Sequence, residues 1–541
     1  MLKRYSFIPA IWIVILIFWA LPAFAQAPTI LSTSPAQNEL NVPINTNISV
    51  TFDIDMDPTT INDSAFVVNA MSTGLHQGTI SYNASAKTAT LDPAGDFKEG
   101  EIVTVVLTTE IQSSFGCALE SSYVWSFTTE VSDESPGTFA PDSVYPVGDV
   151  PYSVFLADVN GDGRSDIITA NDYSDNVSVL LNNGDGTFAP HSVYPVGDGP
   201  CCVFAVDLNG DGGLDLTTAN YSGNVSVLLN NGDGTFVPDS VYEVGDGPYS
   251  IFAADLDGDG DFDLATANQG DDVSVLLNNG DGTFAPVSDY EAGSPPISIF
   301  SADLDGDGDL DLTTANSFFN NFSALLNNGD GSFASPSVYH VDDWPYSVFA
   351  GDLDDDGDLD LATANSPNKV YVFLNNGDGI FATDSIYEVG DEPRSVFAAD
   401  LDGDGDLDVT TANMDSDNIS VLLNNGDGTF APHWAYPADN GPHSVFAADL
   451  DGDGDLDLAT SNYASANVSV LMNCLPTGDC NGDEVINSAD VVYLINHLFK
   501  GGPAPEPLGV GDVNCDGIIN SADMVYLINY LFKAGPPPGC C

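Results

Sequence analysis

The sequence predicts a mainly β protein of three modules: a β-sandwich, a seven-bladed β-propeller and a small α-helical module built on a duplicated loop. Three observations carry this. One unit recurs seven times at a spacing of 48 or 49 residues, close to the length of one propeller blade. Ahead of it, residues 28–130 lack the repeat but carry β-type runs such as Ile48-Ser-Val-Thr-Phe and Ile102-Val-Thr-Val-Val-Leu, separated by turn residues. Behind it, residues 474–541 hold two copies of an acidic loop followed by an apolar helix.

The repeat occupies residues 137–473. Each unit offers four short strand candidates bounded by turns, at 143–147, 153–157, 166–170 and 177–181 in the first. Alternating apolar residues in Val177-Ser-Val-Leu-Leu and its copies suit a strand packed against neighbouring blades. The Asn-Asn-Gly-Asp-Gly that follows reads as a tight turn, because Gly and Asn tolerate positive φ. The first unit opens with a strand like the outer strand of later units, whereas the last stops at 468–471 without one. The N-terminal strand is therefore expected to complete the seventh blade, which removes the open sheet edge and fixes the count at seven.

In every unit an Asp-x-Asn/Asp-x-Asp-Gly-x-x-Asp loop places oxygen side chains at positions 1, 3, 5 and 9. The sets are Asp158, Asn160, Asp162, Asp166; Asp207, Asn209, Asp211, Asp215; Asp255, Asp257, Asp259, Asp263; and Asp303, Asp305, Asp307, Asp311. Asp352, Asp354, Asp356, Asp360; Asp400, Asp402, Asp404, Asp408; and Asp449, Asp451, Asp453, Asp457 complete them. Alternate residues of a tight loop point inward, and calcium takes six to eight oxygens, so the spacing suits Ca2+. Asp355, where most copies have Gly, is the main departure. These units resemble the FG-GAP/VCBS repeats of integrin alpha-chain propellers, which implies calcium loops that brace blades rather than perform chemistry.

Within residues 28–130, Asn41-Val-Pro-Ile-Asn-Thr-Asn-Ile-Ser-Val-Thr-Phe, Met56-Asp-Pro-Thr-Thr-Ile and Trp125-Ser-Phe-Thr-Thr resemble the bacterial Ig-like domain of surface-layer and extracellular proteins. That family implies a spacer or adhesive module. The C-terminal duplication resembles a type I dockerin. Asp479, Asn481, Asp483, Asn487 and Asp490 take its calcium positions in the first copy, and Asp512, Asn514, Asp516, Asn520 and Asp523 in the second. Val485 and Ile518 would add backbone carbonyls. The resemblance implies docking to a cohesin-type partner through Ser488, Ala489, Ser521 and Ala522.

Lys3 and Arg4 precede an apolar run from Phe7 to Leu21, and Ala23-Phe24-Ala25 follows, so residues 1–25 read as a secretory signal peptide of a secreted or cell-surface bacterial protein. No later segment is apolar enough to span a membrane. The chain carries 81 Asp and Glu against 9 Lys and Arg, a formal charge of −72, which excludes nucleic acid and anionic lipid as favoured partners. So much like charge calls for bound cations. The eight cysteines, Cys117, Cys201, Cys202, Cys474, Cys480, Cys515, Cys540 and Cys541, admit 105 pairings, and the sequence does not choose among them.

Three function classes follow: a secreted binding module, a purely structural cell-surface protein, and an accessory or enzymatic component of extracellular polysaccharide catabolism. Against an enzyme, the six histidines are scattered and no nucleophile, base and orienting group are seen together. The expectation is a non-catalytic protein whose propeller binds an extracellular glycan or protein. Chain direction puts the calcium loops and the Asn-Asn-Gly-Asp-Gly turns on one propeller face. The other face varies between copies and bears Tyr173, Tyr221, Phe318 and Trp344 as candidate ligand contacts, with Arg394, His443 and the Cys201-Cys202 pair.

Overall fold

The computed structural model describes residues 27–131, 137–238, 240–293, 295–473, 480, 487–505, 511, 513 and 519–533. The leader, most of the dockerin loop ligands (Asp479, Asn481, Asp483, Asp512, Asn514 and Asp516), the carbonyls of Val485 and Ile518, and Cys474, Cys515, Cys540 and Cys541 lie outside the described residues.

The N-terminal module is a two-sheet sandwich. One sheet orders Ile30–Ser34, Ile48–Phe52, Thr88–Pro93 and Gly78–Asn83; the other orders Glu39–Val42, Tyr123–Thr129, Ile102–Leu107, Phe66–Ala70 and Gly74–Leu75. Period-two alternation places Ile48, Val50 and Phe52 inside, where they meet Phe66, Trp125 and Phe127 of the second sheet.

Among the described residues the repeat folds into seven four-stranded antiparallel sheets. The first orders Pro151–Ala157, Asp166–Asn171, Asn176–Leu180 and Ser192–Pro195 from the centre outward, and the next five repeat it. The seventh takes Pro442–Ala448, Asp457–Asn462 and Asn467–Leu471 from the chain's last unit and Ser143–Pro146 from its first. Ser143 pairs with Val470 and Pro146 with Asn467, so the ring closes by the expected strand. This is the seven-bladed propeller that the period predicts.

The innermost strands share the pattern Val/Ile-Phe two positions after Pro-x. Its phenylalanines, Phe155, Phe204, Phe252, Phe300, Phe349, Phe397 and Phe446, meet one another around the axis with centroids 4.5–5.1 Å apart. They form a closed aromatic collar around the axis.

The sandwich sits on the end of this channel that carries the acidic Asp-Gly loops. Asn38 Nδ2 donates to Gly357 O at 2.9 Å and Asn41 Nδ2 to Gly405 O at 3.0 Å. Gln37 Nε2 donates to Asp303 Oδ2 at 3.2 Å. Val124 N donates to Gly308 O, and Asp158 N donates to Ser72 O. A cavity of about 120 Å³ remains between the sandwich and the collar. The Ig-like module thus closes one propeller end and leaves the other open.

At the C-terminus two helices, α1 (Ser488–Lys500) and α2 (Ser521–Lys533), pack through Val491, Leu494 and Leu527, with Val513 and Cys480 in the same small core. Among the described residues no helix is long and apolar enough to cross a membrane.

Candidate calcium sites and the open propeller face

Each blade loop holds its carboxylates with its own backbone. Asp158 Oδ1 accepts from Gly161 N at 2.8 Å and its Oδ2 from Gly163 N at 2.6 Å; Asp400 accepts in the same way from Gly403 and Gly405. The position-9 aspartate bridges outward from the loop. Asp166 Oδ2 accepts from Val159 N and its Oδ1 from Asn182 N. These bends need left-handed backbone at position 4, where Gly161 has φ 72° and Gly403 φ 72°. Asp355 adopts φ 60° at that position, so the fifth loop keeps the same path with a residue that tolerates it.

The geometry gathers oxygen ligands. Side-chain oxygens of Asp255, Asp257 and Asp259 lie within 4.8 Å of one another, as do those of the triads Asp303, Asp305, Asp311; Asp352, Asp354, Asp356; Asp400, Asp402, Asp404; and Asp449, Asp451, Asp453. In the first two loops Asn160 and Asn209 replace the position-3 carboxylate with an amide oxygen. Asp354 Oδ1 and Asp402 Oδ1 are buried without a hydrogen-bond partner. Burial, reinforced by neighbouring aspartates, raises the carboxyls of Asp166, Asp215 and Asp303 to about 7 and those of Asp255, Asp311 and Asp360 to about 8. Among the described residues the one cation paired with these ligands is Arg164, 3.7 Å from Asp162. An all-oxygen, negatively charged, partly orphaned set of this kind fits a hard divalent cation such as calcium.

The Asn-Asn-Gly-Asp-Gly turns do more than the sequence suggested. Asn182 donates through Nδ2 to Ser165 O in its own loop and to Leu450 O in the preceding blade. Asn230 does the same to Leu214 O and Val159 O, Asn278 to Phe262 O and Leu208 O, and Asn327 to Leu310 O and Leu256 O. Asn375 and Asn424 continue the pattern to Leu304 O and Leu353 O, and Asn473, at the same place in the last unit but without the rest of the motif, bonds Leu401 O. The first Asn of the motif is an inter-blade clamp anchored beside each acidic loop. A constant residue beside a turn that needs only its Gly was the available signal.

In the C-terminal module the described loop ends are helix caps. Asn487 N donates to Asp490 Oδ2 while Asn487 Oδ1 accepts from Ala489 N; Asn520, Asp523 and Ala522 repeat this. Asp490 and Asp523 are buried, whereas Ser488, Ala489, Ser521 and Ala522 are exposed. Beside them the helices expose Val492 and Phe499 in one copy and Val525 and Phe532 in the other, equivalent positions of the duplication.

The candidate ligand contacts all stand at the strand ends away from the sandwich. Tyr173 lies in the turn Asp172–Ser174 and Phe318 in the turn Ser317–Phe319; Trp344 begins an inner strand that the Phe318 turn packs against. Phe318 is 74% and Trp344 54% exposed. Tyr221 donates its hydroxyl to Gln269 Oε1 at 3.0 Å and meets Tyr249 edge-on. The four come from four different blades, so they rim the face rather than form one cluster. Inside that rim sit Tyr152, Tyr249, Tyr346, Arg394 and His443, of which the tyrosines were not singled out from sequence. Their signal was a single variable column, the residue after Pro in an otherwise repeated Pro-x-Ser-Val-Phe strand.

Comparison with known proteins agrees with this architecture. A bacterial Ig-like domain model matches residues 25–129, FG-GAP-like repeat models match six overlapping windows from 158 to 460, and a dockerin type I domain model matches 477–532. No curated protein matches. Among solved structures, an Agrocybe aegerita lectin described for recognition of non-reducing terminal N-acetylglucosamine is 26% identical, with 58% of this chain and 86% of that one covered and a TM-score of 0.41. BBS1N in complex with ARL6DN, in mercury- and lead-soaked crystals, is 12% identical over 62% of this chain and 96% of that one, with a TM-score of 0.46. The chain belongs to the FG-GAP-like repeat family, its β-propeller preceded by a bacterial Ig-like domain and followed by a type I dockerin domain.

Proposed function

We propose that this is an exported, non-catalytic, calcium-binding protein that presents the open face of its propeller to an extracellular glycan or protein and is tethered by its dockerin to a cohesin-type partner. The observation that carries it is the asymmetry of the propeller: the Ig-like sandwich is hydrogen-bonded over the acidic loops, and the exposed rings of Tyr173, Tyr221, Phe318, Phe319 and Trp344 rim the opposite end. Aromatic rings interspersed with polar groups suit stacking on sugars or anchoring a protein. The dockerin supports a cohesin partner, and the exposed Val492, Phe499, Val525 and Phe532 supply apolar surface for it. Its three domain families are typically non-catalytic, which supports a binding role. The basic and apolar leader supports export.

The test is a glycan and extracellular-matrix array probed with the whole protein, with calcium and with chelator. Calcium-dependent binding to one ligand class is expected. An array silent in both conditions, with the protein folded, would refute the binding role.

A further inference from the structure

The channel mouth on the open face is a pocket of about 360 Å³ floored by the inner strands. Its lining departs from the acidity of the rest of the molecule, although Glu392 and Asp172 stand close behind it. In a chain of formal charge −72, this pocket is lined by Arg394 and, among the described residues, by no carboxylate. His443 adds no charge at neutral pH, since burial and the nearby Arg394 push it down to about 4 while its Nδ1 bonds Tyr152 O at 2.8 Å.

Arg394 is poorly occupied by the protein itself. Its guanidinium stacks on Tyr346 with Cζ 4.0 Å from the ring centroid, and its nearest carboxylate, Glu392, is 3.7 Å away, beyond hydrogen-bond reach. Arg394 Nε is buried with no partner at all. Apart from the ion pair with Glu392, the guanidinium makes no hydrogen bond among the described residues.

The floor offers more donors. Ser298, Ser347 and Ser395 each accept through Oγ from the next blade, from Val348 N, Val396 N and Val445 N at 3.2–3.4 Å. Among the described residues none of these three hydroxyls donates a hydrogen bond, so each keeps a donor to offer. Above them Tyr152, Tyr249 and Tyr346 stand on alternate blades, offering ring surface and hydroxyls together.

We propose that this pocket binds a terminal acidic sugar, a uronic acid whose carboxylate meets Arg394 and the serine hydroxyls while its pyranose ring packs among the tyrosines. A carboxylate suits the planar fork, and the volume is at the small end of ligand sites, enough for a chain terminus and not for an extended polymer. The inference rests on the reading of the open face as the ligand face and adds the ligand's charge and its seat.

The test is calorimetric titration of the calcium-loaded protein with glucuronic and galacturonic acid, with glucose and galactose as neutral counterparts, and with acetate and a tripeptide bearing a free C-terminal carboxylate. A uronic acid is expected to bind about ten-fold or more tightly than its neutral counterpart, acetate and the tripeptide. Arg394→Gln should remove that preference and Arg394→Lys retain part of it, both with unchanged melting. Equal affinity for the neutral sugar, equal affinity for acetate, tighter binding of the tripeptide, or no binding of either uronic acid would overturn the proposal. Array binding that Arg394→Gln leaves intact but loss of the Trp344 and Phe318 rings abolishes would sink this seat while leaving the open-face reading standing.

Discussion

Asn182 Nδ2 lies 2.9 Å from Leu450 O, so one amide joins the first blade to the last. The same amide also holds Ser165 O, and both carbonyls are shielded from water. Asn182→Ala should therefore leave two buried acceptors unpaired and cost about 2–3 kcal/mol. The neighbouring Asn183→Ala loses only an exposed contact with Thr187 and should cost under about 1 kcal/mol. Urea unfolding of the two variants checks the difference.

Calcium should hold the sandwich in place as well as the blades. Gln37 reaches a predicted ligand, Asp303, and Asn38, Asn41 and Val124 bond the backbone of the blade loops at Gly357, Gly405 and Gly308. If chelation lets those loops change shape, the sandwich loses its seat. Each site at a thousand-fold excess of calcium over Kd contributes about 4 kcal/mol, so chelation should lower the melting temperature sharply. Small-angle scattering should show the radius of gyration rising; an unchanged radius with a lowered melting temperature would separate blade bracing from domain docking.

Acid should act in opposite directions on the calcium-free and calcium-loaded forms. Burial first, and neighbouring aspartates second, lift Asp311 and Asp360 to about 8 in the fold, against an ordinary value of 3.8. The folded state then binds more protons than the unfolded chain between those limits. That contribution is full below about pH 4 and is lost as pH rises through 8. The chelated protein should melt higher at pH 5.5 than at pH 8. Calcium needs the same carboxylates ionised, so its affinity should fall over the same acid shift, which calorimetry at the two pH values measures.

What the sequence made legible is what it encodes locally. The blade period, the calcium loops and the closing strand follow from spacings within one unit and from the missing outer strand of the last. The clamp of Asn182 and its copies was hidden because the same residue also suits a turn, and its second bond reaches a different blade. The seat of the sandwich was hidden too. Asn38 and Asn41 have φ of 58° and 56°, and only tertiary placement turns their amides toward Gly357 and Gly405. The tyrosines at the channel mouth share one variable strand column with Cys201, Arg394 and His443, which the sequence did single out; recurring in three of the seven copies, the tyrosines read as part of the repeat rather than as variation.

The dockerin duplication predicts redundancy. Val492 and Phe499 occupy the same places in α1 as Val525 and Phe532 in α2, and all four are exposed. Changing Val492 and Phe499 to Asp should leave cohesin binding within about three-fold, since the other copy presents the same face, whereas changing all four should abolish it. Surface plasmon resonance with a cohesin from the same source measures this. Full loss from the first pair alone would show that only α1 docks.

The open face gives the last prediction. Phe318 and Trp344 project from adjacent blades, and the turn that carries Phe318 packs against the strand that Trp344 begins, so their rings form one rim on that side of the channel. Neither is near a calcium loop: Trp344 opens the strand whose far end, Gly351, leads into the loop of Asp352. Removing both rings should therefore separate binding from bracing. Trp344→Ala with Phe318→Ala should weaken ligand binding by about ten-fold or more if the rim contacts ligand, because exposed aromatic anchors dominate such contacts. The calcium-dependent rise in melting temperature should stay the same. Binding unchanged in the double variant would remove the rim from the ligand site. A ligand found over the calcium loops would require the Ig-like sandwich to leave its seat, and scattering on the complex would detect that displacement.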